Sequence, residues 1–150
     1  MNSDPADIQR VWRLIRKHVP EVRSGIIKVL GVVREPGKRS AFAVASNDPR
    51  IDPVGTCVGL RGSRVKEIVA ELGGGEMVDI FRWDESAERF IANLLAPLRV
   101  TGATFDDVAR EANVRAVRPS GLASPELALR SKLLVELTGW KLHVEVKDEG

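Results

Sequence analysis

Apolar residues recur along this chain with two distinct periods. Ile8, Val11, Trp12, Ile15 and Val19 fall three and four apart, which predicts an amphipathic helix over 6–19 that ends at Pro20. Arg10, Arg13, Arg16 and Lys17 occupy its other faces and read as a solvated surface. Residues 25–33 are too β-branched and too glycine-punctuated for a helix, and 41–45 form a second such run, so both predict strands. Arg34 to Arg39, with Pro36-Gly37 at its centre, reads as the turn of a hairpin whose tip carries Arg34, Lys38 and Arg39. A further turn at 46–49 leads to Asp52-Pro53, a cap and a first helical residue, which predict a short helix over 53–58. After Gly59-Leu60-Arg61-Gly62, the stripe Val65, Ile68, Val69 and Leu72 predicts another helix, stopped by Gly73-Gly74-Gly75, and 77–83 follows as a strand.

The second half repeats this order in reduced form. Ala87, Phe90, Ile91, Leu94 and Leu95 make a helical stripe, and 98–105 and 112–118 are weaker strand patterns. Ser124-Pro125-Glu126 has the form of a helix start. Leu129, Leu133, Leu134 and Leu137 give that helix its apolar side before Gly139, and 141–146 alternates as a strand with one buried face. Only the first helix of the central pair lacks a counterpart. The pattern predicts an α+β chain of two units, 1–83 and 84–150, each a small three-stranded sheet backed by helices.

Length and composition narrow the chemistry. The 150 residues include one cysteine and two histidines, which excludes intrachain disulfides and Cys/His zinc sites by count. No window approaches a membrane span and no secretory leader pattern opens the chain, so a cytoplasmic protein is expected. The net charge of +2 hides an asymmetry: residues 1–75 carry 13 basic against 8 acidic side chains, and residues 76–150 carry 10 against 13. Between Arg23 and Lys66 the ratio is 9 to 3, which suits a polyanionic partner and equally suits a solvated basic face.

Gly59-Leu60-Arg61-Gly62 is the most informative stretch. Four residues of the form GxxG make an ordinary helix corner as readily as a site. Between two helices, however, such glycines let backbone approach a nucleic-acid strand, while amides at the start of the next helix face its phosphates. Arg61, Ser63, Arg64 and Lys66 add donors there, and Val54, Val58, Val65 and Ile80 border a groove for bases. Arg34, Lys38 and Arg39 at the hairpin tip are candidates for further phosphate contact. Two nucleotide-binding readings fail on spacing. Gly62 is followed by Ser63-Arg64 instead of the Lys-Ser or Lys-Thr of a P-loop, and Gly55 and Gly59 are too far apart for a dinucleotide fingerprint. Cys57 beside Val58 reads as core, His18 as the favourable end of a helix, His143 as an outward strand residue, and Asp84-Glu85 and Asp106-Asp107 as caps or turns. No nucleophile–base pair or metal set emerges, so neither an enzyme nor a cofactor is expected.

The text from Val22 to Trp83 resembles the first KH unit of the bacterial NusA family of transcription factors. The stretches that carry it are Val19 to Val22, Arg34 to Gly37, Val44 to Pro49, Asp52 to Gly55 and Cys57 to Val65, in that order. Leu134 to Val144 is similar to the last helix and strand of the family's second KH unit. The resemblance implies the type II KH fold, single-stranded RNA as ligand, a role in transcription elongation, termination or antitermination, and RNA polymerase or other transcription factors as partners. It covers only the KH pair; a free-standing chain, as in archaeal NusA-like proteins, and a piece of a longer factor both fit. The chain departs from the family where the second unit's glycine loop falls on Pro125-Glu126-Leu127-Ala128, so no RNA contact is expected there and the second unit reads as a degenerate packing partner. A protein-interaction adaptor that has lost RNA binding is the other reading of the same text.

Overall fold

The computed structural model describes residues 4–149. These residues divide into two compact units, one ending at Trp83 and the other beginning at Asp84. In the first, α1 (Pro5–His18) starts on the Asp4 carboxylate, which accepts from the Ala6 N–H, with Pro5 as its first residue. It buries Val11, Leu14 and Ile15. Pro20 opens a second, one-turn helix, α2 (Pro20–Arg23), instead of only ending the first. Proline's fixed φ suits a first helical position, which is why one residue both stops α1 and starts α2.

β1 (Ile27–Glu35) and β2 (Arg39–Ser46) pair antiparallel, and β3 (Met77–Arg82) lies parallel to β2, giving the order β1-β2-β3. β1 lies two residues further along than the expected 25–33, and β2 is longer than the expected 41–45, because pairing continues through Arg34 opposite Ser40 and Glu35 opposite Arg39. Only 36–38 remain as the turn. Between β2 and β3 come α3 (Pro53–Val58) and α4 (Ser63–Glu71). Val11, Ile15, Ile27, Val32, Phe42, Val44, Cys57 and Ile68 join helices and sheet in one apolar core.

The second unit runs α5 (Ala87–Leu95), β4 (Arg99–Asp106), β5 (Glu111–Arg118), α6 (Ala128–Thr138) and β6 (Lys141–Asp148). Its sheet has the order β4-β5-β6 with the same senses of pairing, and β4 carries a register shift before Gly102 as β1 does before Gly31. The expected α+β pair of three-stranded sheets is therefore present, and residues 119–127 hold no helix where the first unit has α3. α6 begins at Ala128, later than the Ser124-Pro125-Glu126 pattern suggested. The Glu126 carboxylate, and not Ser124, accepts from the Ala128 N–H at 2.6 Å. The buried Arg130 of α6 donates to the Leu94 and Ala96 carbonyls and so closes the end of α5. Trp140 meets Phe105 edge-on at 5.5 Å between ring centroids and lies under the Arg110 guanidinium at 4.6 Å.

Candidate nucleic-acid interface

The loop between α3 and α4 is built by three left-handed residues. Asp52 caps α3 through the Val54 N–H, and α3 ends at Gly59, where φ is 80°. Leu60–Gly62 forms a single 3₁₀ turn in which Arg61 has φ 57°, and Gly62, at φ 74°, leads into α4 without a side-chain cap. The two glycines are required for different reasons. A Cβ on Gly59 would lie 2.8 Å from the Arg64 amide nitrogen and from the Ser63 Oγ, whereas a Cβ on Gly62 would meet nothing closer than 3.7 Å and is opposed only by its φ. The backbone thereby turns sharply enough to leave the start of α4 facing solvent.

Leu60 stands at the tip, 84% exposed, and Arg61, Ser63 and Lys66 are exposed beside it. Arg64 points the other way. Its Nη1 donates to Glu21 Oε1 and to the Thr56 carbonyl, both at 2.9 Å, tying α2 and α3 beneath the loop. Val54, Val58, Val65 and Ile80 are half-buried; Val54 and Ile80 pack on the core with their inner atoms. Burial pushes the Cys57 thiol up to about 11, the nearby Arg64 charge only partly opposing it, so the thiol stays protonated inside α3, in keeping with its reading as core.

The hairpin tip departs from expectation. Arg34 lies within β1 and is 7% exposed; its Nη2 and Nε donate to the Glu76 carboxylate and its Nη1 to the Asp7 carbonyl. Glu76 also accepts from the Ser40 hydroxyl and the Gly37 N–H. Burial alone would raise the Glu76 carboxyl, but these donors outweigh it and hold the group below its ordinary value. Arg39 is bound to Asp79 at 2.6 Å. Lys38 alone of the three is exposed, and it pairs with Glu35 at 3.1 Å. Extended pairing of the strands draws Arg34 off the tip and into the buried pair with Glu76.

Contacts between α1 and α4 were not legible from periodicity. Lys17 reaches Glu71 at 2.8 Å, Arg10 donates to the Glu71 carbonyl, and His18 bonds Glu71 through Nε2 and Glu67 through Nδ1. Part of the basic surface of α1 is thus an attachment to the helix that carries the loop. Hydrogen bonds from Lys17 and His18 lower the Glu71 carboxyl. Arg13 and Arg16 remain exposed. In the second unit the Glu126 carboxylate occupies the amides at the start of α6, with the Leu129 N–H also directed at it. An anion supplied by the chain itself sits where the first unit leaves its helix start open.

A pair of α+β units, the first with a glycine-bounded loop between two helices on a mixed sheet, defines a tandem KH-like protein. Residues 6–83 match the model of the NusA-like first KH domain, and the chain belongs to that family. Two curated relatives carry the name transcription termination/antitermination protein NusA. That of Thermus thermophilus is 38% identical over 88% of this chain, and that of Halalkalibacterium halodurans is 37% identical over 91%. The chain spans about one third of their lengths, 34% and 36%. Among solved structures, the crystal structure of APE1850 superposes with a TM-score of 0.64 over 96% of this chain and all of that one, at 14% identity, and so shares the fold.

Proposed function

We propose that this chain binds single-stranded RNA at the α3–α4 loop of its first unit and acts, without catalysis, in transcription elongation, termination or antitermination. The observation that carries the reading is the open start of α4. Gly62 leads into it uncapped, Leu60 stands out at the tip, and Arg61, Ser63 and Lys66 surround it with donors. A phosphate whose oxygens accept from the amides at that helix start places the sugar-phosphate path along Gly59 to Gly62 and turns the bases towards the outer atoms of Val54, Val58, Val65 and Ile80. Arg64 acts by fixing the loop from below, and Lys38 is the most exposed hairpin-tip cation that could assist. The names of the curated relatives support the process assigned, with RNA polymerase or another transcription factor as a further partner.

The carboxylate at the start of α6 favours the first unit over the second as the seat of binding, since a fixed negative charge there opposes phosphate. The same feature also suits the second reading, an adaptor that uses the KH scaffold for protein contacts. Leu60→Asp with Arg61→Asp separates the two. Both side chains are exposed, so the variant folds, and titration of labelled single-stranded RNA is expected to show at least tenfold weaker binding, about 1.4 kcal/mol or more. Unchanged RNA affinity would refute the loop assignment.

A further inference from the structure

The open face of the second sheet carries a cluster of exposed charged and polar side chains. In β5, Ala112, Val114 and Ala116 point to the buried side, so the alternate residues Asn113 and Arg115 face solvent. Register places His143 beside Asn113, Glu145 beside Arg115 and Lys147 beside Val117 on β6, and Arg99 opposite Val117 on β4. Arg99, Asn113, Arg115, His143, Glu145 and Lys147 are all exposed.

Arg115 is the centre of this face. Its guanidinium lies against Gly102, where any Cβ would overlap its Nη2, so the glycine after the β4 register shift makes room for the group beside the neighbouring strand. Arg115 is exposed, and a guanidinium held in one place offers a plane on which a base can stack. Two shallow clefts share it, one of about 220 Å³ lined by Asn113 and His143, the other of about 200 Å³ lined by Thr101 and Lys147, with Glu145 bordering both. Arg99, Arg115 and Lys147 form no ion pair among the described residues, although Glu145 is the strand neighbour of Arg115. Three cations set against the one carboxylate of Glu145 leave an excess of positive charge at this end of the face, which attracts phosphate. Asn113 and Glu145 offer the amide and carboxylate groups that pair with base edges. The face exposes no large apolar anchor of the kind that a protein interface requires at its centre.

We propose that this face holds bases of single-stranded RNA, with Arg115 as platform, Asn113 and Glu145 as edge-reading groups, and Arg99 and Lys147 as phosphate contacts. The inference rests on the reading of the chain as an RNA-binding protein, but on different residues from the α3–α4 loop. The test is a titration of one long single-stranded RNA against four proteins: unmodified, Leu60→Asp/Arg61→Asp, Arg115→Ala/Lys147→Ala, and the combination. Backbone amide NMR shifts are followed in parallel. The sheet variant is expected to bind about tenfold more weakly, as loss of one stacked base does, and RNA is expected to move the amides of Asn113, Arg115, His143 and Glu145 even in the loop variant. Equal affinity of the sheet variant and the unmodified chain, with those amides unmoved, overturns the proposal while leaving the loop reading standing. A weakened sheet variant beside an unaffected loop variant upholds the face and removes the loop. No binding by the unmodified chain at low salt overturns both. Loss of a protein partner by the sheet variant, with unchanged RNA affinity, overturns it in favour of a protein contact.

Discussion

Gly59 and Gly62 look alike in the sequence and differ in what they do. Gly59 is pinned by the close approach of Arg64 and Ser63 as well as by its φ, while Gly62 is pinned by its φ alone. Gly59→Ala is therefore expected to cost more stability than Gly62→Ala, about 3 kcal/mol against about 1 kcal/mol, as measured by urea unfolding. Cys57 makes a second residue-scale prediction. With its thiol held up near 11 by burial, native protein is expected to resist alkylation at neutral pH and to react at once in denaturant. Fast modification of the folded chain would contradict the packing of α3 described above.

At the scale of elements, β1, β2 and β3 are fastened at one end by a single buried carboxylate. Glu76 holds Arg34 of β1, Ser40 of β2 and the Gly37 N–H of the turn. Glu76→Gln is expected to destabilise the first unit by about 3 kcal/mol, because it removes the buried carboxylate that bonds the Arg34 guanidinium most closely and leaves the more distant Asp7 carboxylate, at 3.8 Å, in its place. The carboxyl is lowered in the folded state, so its contribution is present above its unfolded value and is lost as pH falls through the folded one. Unfolding midpoints measured from neutral to acid pH should fall for the unmodified chain and fall less for Glu76→Gln. In the second unit, Glu126→Ala removes the cap of α6 and is expected to cost about 1 kcal/mol while leaving RNA affinity at the α3–α4 loop unchanged.

Several of these elements were legible in the sequence because each carried its own punctuation: Asp52-Pro53 before α3, three glycines after α4, clean alternation in β6. The Glu126 side chain misled as to the helix start because it caps from within two residues of Ala128, leaving the Ser124-Pro125 signal unused. Arg34 and Arg39 read as turn residues because a propensity scan sees Pro36-Gly37 and cannot see how far pairing extends on either side. The inward turn of Arg64 and the attachment of His18 and Lys17 to Glu71 depend on residues distant in the sequence, which periodicity cannot register. The loop itself was legible down to its glycines; what each glycine faces was not.

Across the whole molecule, the charge asymmetry now has a structural sense. Several first-half cations are spent on internal pairs: Arg34 with Glu76, Arg39 with Asp79, Lys17 with Glu71, Arg64 with Glu21. The excess positive charge of residues 1–75 is therefore a poorer guide to ligand contact than the exposed Arg61 and Lys66 beside an uncapped helix. This also separates the RNA-binding and adaptor readings, since phosphate contacts release counterions and an apolar protein interface does not. The most direct measurement is the affinity of the unmodified chain for single-stranded RNA across a salt series, beside that of Leu60→Asp/Arg61→Asp. Affinity is expected to fall steeply with salt, with a shallower slope in the variant. A salt-independent affinity, or a variant slope equal to that of the unmodified chain, would contradict the loop assignment.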